Sequence, residues 1–284
     1  MKDKCRPCIV ACDVNGTLMG IAKRDYALSQ KLLGEFGQRI SHHRATKGRE
    51  LLFGTATGLS AQDHARLEVQ NKLFGAVMSE ADFKITSVGA AIAHRRYGRF
   101  IIDEDWPQPD NWCRERAMGA IAHRRELQLQ DKTVQGPHKI SFNVGGVAPG
   151  NHGEYVSELE KCLKRHNVHA EIVFSAGYFL DILPAGINKG MALHRVVATL
   201  TADGVGRSHD SAEPTMQAPF ILGAGDTMND RALLKAANAA VLPSNADAAL
   251  RQWAQQAIPD KLYQAKTPFA GGVLEGMKYF GVIG

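Results

Sequence analysis

The 284-residue chain is predicted to be an α/β protein, a parallel sheet with helices on both faces, interrupted by an inserted α+β unit. Three observations carry that prediction. Short apolar runs alternate with helix-period segments at both ends of the chain, the pattern of strand–helix–strand units in a parallel sheet. The middle switches to alternating apolar and polar residues with Tyr, Phe and Ile, the pattern of antiparallel strands. Chemically capable polar residues fall just after the apolar runs, where open parallel sheets bind their ligands.

Residues 9–13 (IVACD) read as the first buried strand. Leu28, Leu32, Leu33, Phe36 and Ile40 recur at helical spacing and place a helix over 26–40. Residues 42–49 are polar and basic and are expected to form a loop. Leu51, Leu52 and Phe53 begin a second strand that runs into GTATGLS, and a helix follows over 61–73. Towards the other end, HRVVATLTADG is helical, FILGAGD is a buried strand running into glycines, DRALLKAANA is a helix and AAVLP is a strand. Crossovers between such parallel strands are right-handed. In the middle, AAIAHRRYGRFIID, HKISFNVGG and AEIVFSAGYFLDILP are extended, with helical stretches near 111–127 and 156–165. All of these are expected in the insert, residues 88–183, leaving 1–87 plus 184–284 as the core domain. Residues 206–215, GRSHDSAEPT, read as an exposed loop.

A hydrophobic content of 44% with 22% charged residues is ordinary for a soluble globular protein, and the length suits one large and one small domain. No run approaches the ~18 apolar residues of a membrane helix, so no membrane partner is expected. The charged start and an apolar run ending at Asp13 do not make a signal peptide. Five cysteines, an odd and low count, point to reduced thiols and a cytoplasmic location. Cys5, Cys8 and Cys12 crowd the start, but no second Cys/His cluster completes a zinc set. The net charge of +5 comes with no nucleic-acid-binding module and only 7% aromatics, which excludes that partner class. The clusters His94-Arg95-Arg96 and His123-Arg124-Arg125 are either solvated faces or a surface that draws in an anionic substrate. Tyr97, Trp106 and Trp112 either pack in a core or stack on a sugar. No protein partner is predicted.

Asp13 follows the first strand, Thr57 the second and Asp226 the strand FILGA, while Lys189 of GINKG opens a helix. Each has a plainer reading taken alone: a turn aspartate, a turn hydroxyl, a cap or a solvated lysine. Together they form one chemical set. Carboxylates at strand ends bind a hard cation such as Mg²⁺, which takes one or two carboxylates plus a phosphate. A lysine and a threonine hold phosphate oxygens, and a carboxylate can attack phosphorus. In GDTMND, Asp226 and Asp230 lie four residues apart in a Gly-containing turn that opens a helix.

These segments resemble the motifs of the haloacid dehalogenase (HAD) phosphatase superfamily. DVNGTL is similar to its first motif, D-x-D-G-T, TATG to the second, NKG to the third and GDTMND to the fourth. TSVGAAI, HKISF, DILPAGINKGMAL, SNADAALRQW and FAGGVLEGMKYF are similar, in order, to segments of its sucrose-phosphate phosphatase branch. The resemblance implies a Rossmann-like core with an α/β cap and a Mg²⁺-dependent phosphatase acting on a small-molecule sugar phosphate, sucrose 6-phosphate or a related glycosyl or amino-sugar phosphate. It implies Asp13 as nucleophile and metal ligand, the carbonyl of Asn15 facing the metal, and Thr57 and Lys189 on the phosphoryl group. It further implies Asp226 and Asp230 at the metal with Asn229 beside them, and Asn245 at the rim. His138, Lys139, Ser141, Ser175 and Asp181 become candidates for sugar hydroxyls, or remain polar residues of strand faces.

Two positions depart from the pattern. Leu59 stands where the branch has Arg. Asn15 stands where the superfamily has the aspartate that protonates the leaving oxygen and activates water, and an amide does neither. Three alternatives remain: an engineered substitution, a natural phosphatase with another proton carrier, or a silent sugar-phosphate binder. A phosphotransferase on the same scaffold is a further alternative. Asn15-Gly16 is also prone to deamidation, which would place Asp in a fraction of molecules.

Overall fold

The computed structural model describes residues 7–47, 51–145, 151–175, 177–204 and 217–284. Cys5 and the expected loop 206–215 lie outside the described residues. The strands are β1 (Cys8–Cys12), β2 (Leu51–Ala56), β3 (Phe83–Thr86), β4 (Ala91–Arg96), β5 (Arg99–Ile102), β6 (Leu127–Leu129), β7 (Ile140–Val144), β8 (Ala170–Ser175), β9 (Phe179–Pro184), β10 (Phe220–Ala224), β11 (Ala239–Leu242) and β12 (Leu262–Gln264). The α-helices are α1 (Tyr26–Lys47), α2 (Ala61–Gln70), α3 (Lys72–Met78), α4 (Arg114–Ile121), α5 (His152–Arg165), α6 (Lys189–Ala202), α7 (Arg231–Ala236), α8 (Ala248–Ala257) and α9 (Phe269–Tyr279).

Eight strands form one sheet in the order β12-β11-β10-β1-β2-β3-β4-β5, parallel through β3 and antiparallel beyond it. Strand β1 shows why. Ile9, Val10, Ala11 and Cys12 are all fully buried, as a strand covered on both faces requires. Val10 and Cys12 pack on one side with Leu33 and Phe36 of α1 and Val273 of α9, and Ile9 and Ala11 on the other with Leu193 and Val196 of α6. Phe36 meets Phe53 of β2 edge to face at a ring separation of 5.2 Å.

A second sheet, β6-β7-β9-β8, is antiparallel throughout. Ile140, Phe142, Leu180 and Ile182 of this sheet pack on Ala117 and Ile121 of α4 and Leu159 and Leu163 of α5.

Three expectations need correction. Strands β4 and β5 extend the large sheet: β4 pairs antiparallel with β3, placing Ile92 opposite Ile85, so a start of the insert at residue 88 would cut into this sheet. Alternation marks an antiparallel strand but not the sheet that receives it. Residues 42–47 continue α1 instead of forming a loop. Arg44 holds this last turn by donating to Leu51 O at 3.1 Å, to Asp82 Oδ2 at 2.5 Å and to Glu80 O. The helix expected over 61–73 is two helices, because the Asn71 side chain accepts from Phe74 N at 3.0 Å and caps α3.

The chain leaves the large sheet after β5 and returns through β9 into α6. Both connections touch Gly89. The Trp106 indole donates to Gly89 O at 2.8 Å, and a β-carbon at Gly89 (φ +103°) would lie 2.3 Å from the carbonyl carbon of Asn188. Among the described residues no helix is long and apolar enough to cross a membrane.

Phe36→Ala is expected to lower the unfolding free energy by about 3–5 kcal/mol. Urea denaturation checks this as a fall in midpoint at unchanged slope.

Candidate active site

The parallel strands deliver their C-terminal ends to one place. Asp13 follows β1, Thr57 follows β2 and Asp226 follows β10, and the order β10-β1-β2 sets β1 between the other two. Asp13, Thr57, Asp226 and Asp230 are each at most 6% exposed, and Lys189 is fully buried.

Lys189 opens α6, where the Asn188 side chain accepts from Gly190 N and Met191 N, both at 3.0 Å. Its Nζ donates to Asp13 Oδ1 at 2.7 Å, Asp230 Oδ1 at 2.6 Å and Asn229 Oδ1 at 3.2 Å. Asp230 also accepts from Asp226 N at 3.0 Å and Thr227 N at 3.1 Å, which folds the GDTMND turn around its own carboxylate. Thr17 Oγ1 donates to Asp226 Oδ1 at 2.7 Å. Gly16 (φ +89°) lies against the same carboxylate, since a β-carbon there would be 2.0 Å from Asp226 Oδ2. Thr17 and Gly16 thus set Asp226, a role the sequence reading did not give them. The Gly-Thr pair inside DVNGTL is the signal that carries it.

One oxygen from each of Asp13, Asp226 and Asp230 lies within 4.8 Å of the others. Three buried carboxylates against one ammonium leave negative charge uncompensated. Burial pushes Asp13 up to about 7, with Lys189 opposing and Asp230 reinforcing the shift. Burial and then Asp13 raise Asp226 well above the usual carboxylate range. For Lys189, burial disfavours the charge, yet Asp13 and Asp230 together outweigh it and hold the ammonium above the ordinary lysine value. An all-oxygen donor set carrying surplus negative charge fits a hard divalent cation.

The remaining candidates fall around this centre. Thr57 Oγ1 accepts from Leu59 N at 3.2 Å. Asn15 is exposed. The Gly16 N–H that would close a succinimide on Asn15 is donated to Met19 O at 2.7 Å, an arrangement that opposes deamidation. Asn245 donates to Gly16 O at 2.7 Å and accepts from Phe269 N at 2.9 Å, so it braces the turn after β1. Lys139, Ser141 and Asp181 form a second buried cluster in the small sheet. His138 and Ser175, both half-buried, join neither cluster. Trp106 packs with apolar core residues, Trp112 donates to Pro137 O at 2.8 Å, and Tyr97 is 96% exposed at the β4–β5 turn. In the first basic cluster His94 is buried and Arg95 donates to Ala81 O at 2.6 Å, so these two are not a solvated face.

A family model described as sucrose-6F-phosphate phosphohydrolase matches residues 6–281. The chain belongs to this family. A relative named probable sucrose-phosphatase 2, from Arabidopsis thaliana, is 31% identical over 206 residues, covering 70% of this chain and 44% of the relative. The chain thus spans under half the length of that relative. A sucrose-phosphatase from Synechocystis, solved with sucrose and phosphate, superposes with a TM-score of 0.76 at 24% identity, over 97% of this chain and 98% of the other. An HAD subclass IIB sugar phosphatase superposes with a TM-score of 0.60 at 15% identity, over 97% and 100%. The fold of this sucrose-6F-phosphate phosphohydrolase family member is therefore the HAD fold.

The raised carboxylates give a pH dependence with a definite sign. Asp13 binds its proton more tightly folded, near pH 7, than at its ordinary 3.8. The metal-free protein is therefore expected to lose stability as pH rises from about 4 through about 7. Thermal unfolding across that range in chelator checks it, and a divalent cation should flatten the trend.

Proposed function

We propose that the chain is a Mg²⁺-dependent sugar-phosphate phosphatase that works through Asp13. The observation that carries this is the Lys189 ammonium bonded to Asp13 and Asp230 inside a buried carboxylate cluster at the ends of parallel strands. Asp13, Asp226, Asp230 and the backbone carbonyl of Asn15 would hold the metal, which when bound supplies positive charge to the phosphoryl oxygens. Lys189 and Thr57 hold that group from the protein side, and Asn229 fixes the lysine. An Asp13 oxygen would attack phosphorus as the bond from phosphorus to the sugar oxygen breaks, and that oxygen would take a proton from solvent. Water would then attack phosphorus and give a proton to solvent as the bond between phosphorus and the Asp13 oxygen breaks, which frees phosphate and returns the carboxylate.

The smaller sheet with α4 and α5 is the cap in this reading, entered after β5 and left at the end of β9. It would cover the sugar, with His138 and Ser175 towards hydroxyls. Family membership supports sucrose 6-phosphate as the first substrate to test, with related glycosyl or amino-sugar phosphates after it.

Asn15 limits this activity. Its amide neither gives the proton the sugar oxygen needs nor takes one from water, and such a loss lowers rates by ~10²–10⁴-fold. The same residue favours a second reading, a sugar-phosphate binder without turnover.

Asn15→Asp is expected to raise phosphate release by at least ~10²-fold on one member of a sugar-phosphate panel that includes sucrose 6-phosphate. Chelating the metal should abolish that release. Silence of both proteins, with sugar phosphate still bound, selects the binder. Gly16→Ala, which drives a β-carbon into Asp226, should weaken Mg²⁺ binding by ~10–100-fold in calorimetry.

A further inference from the structure

The turn after β2 is gripped from two sides. Thr57 O accepts from Val88 N at 3.0 Å and Leu59 O from Ser87 N at 2.7 Å. The carbonyl between them, that of Gly58, accepts from Lys139 Nζ at 3.1 Å, across 81 residues of sequence. Lys139 is 4% exposed. Its ammonium lies 3.5 Å from Asp181 Oδ1, and that oxygen accepts from Ser141 Oγ at 2.5 Å. Ser141 and Asp181 are paired across β7 and β9, so the register of the small sheet sets the pair. A buried ammonium needs acceptors for its donors, and one from each sheet's unit is supplied here. Three side chains that the sequence offers to sugar hydroxyls are thus engaged with one another and with the core.

We infer that Lys139 is a positioning residue that latches the small-sheet unit onto the Thr57 turn, with Asp181 and Ser141 aiming it. The inference deepens the phosphatase reading and rests on it for its catalytic consequence. Residues 57–60, Thr-Gly-Leu-Ser, carry no cation of their own, and Lys139 brings one from the other unit. Thr57 Oγ1 is bonded to Leu59 N, so its place depends on the shape of the turn whose middle carbonyl Lys139 holds. Docking of the small unit and the shape of the proposed phosphate site are coupled through this contact. A sugar ligand would matter only for substrates with a sugar, whereas a latch matters for any phosphate that needs the formed turn.

The test compares the full chain with Lys139→Met and Lys139→Arg. In ligand-free hydrogen exchange, Lys139→Met should speed exchange of the 57–60 amides by about tenfold or more, and Lys139→Arg should reverse most of it. Titration with inorganic phosphate and Mg²⁺ should show the same order, a Kd about tenfold higher for Lys139→Met that recovers in Lys139→Arg. Asp181→Asn, which removes the charge that aims the ammonium, serves as a second variant with the same expected direction. Unchanged exchange at 57–60 overturns the latch. So does weaker binding of sucrose 6-phosphate with unaltered binding of inorganic phosphate, which would make Lys139 a sugar ligand. Faster exchange in proteins that bind no phosphate would keep the latch and remove the phosphatase reading.

Discussion

The fully buried Lys189 ammonium is the interaction on which the rest of this structure turns. It stands among three carboxylates that would repel one another without it. A buried ion pair is a poor source of stability, because desolvating the charges costs about as much as their attraction returns. What the lysine supplies is order. It ties β1 to the turn after β10 through Asp13 and Asp230, and it does so from the first residue of α6. Close approach of α6 and α7 fixes that start: a β-carbon on Gly190 would lie 2.4 Å from Ala232 O. Helix packing, strand order and site electrostatics therefore meet in one side chain.

The cluster keeps more negative charge than the lysine balances. Burial first, and then the neighbouring carboxylates, raise Asp13 and Asp226, and a cation would relieve what Lys189 leaves over. Asn15 stands apart from this balance. It is exposed, it adds no charge, and its place in the turn is set by its neighbours, with Gly16 against Asp226 and Gly16 O bonded to Asn245. Under the proposed function, an amide for a carboxylate at that position would leave the fold and the charge cluster intact and remove only a proton carrier.

Much of this was legible in the sequence because it is local. The buried run of β1, the glycines at the end of β10 and just after it, and the helical spacing of Leu32, Leu33, Phe36 and Ile40 each name their element directly. The polar residues after the strands converge because a parallel sheet brings its C-terminal ends together. What escaped depends on distant partners. Arg44 extends α1 through acceptors at positions 51, 80 and 82. Strand β4 alternates as a strand of either sheet would, and only its pairing with β3 assigns it. The mutual engagement of Lys139, Ser141 and Asp181 depends on the β7–β9 register and on a carbonyl in the other sheet's unit. No spacing rule announces that.

Gly89 is where the two connections between the sheets meet. The outgoing connection leans on it through Trp106, and the returning one packs on it through Asn188, one residue before Lys189. Both passages of chain between the two sheets are thus gathered at one residue, and that residue stands beside the start of α6. A side chain at position 89 would strike the backbone one residue before Lys189, so the join between the two units and the placement of the buried ammonium draw on the same few ångströms of space.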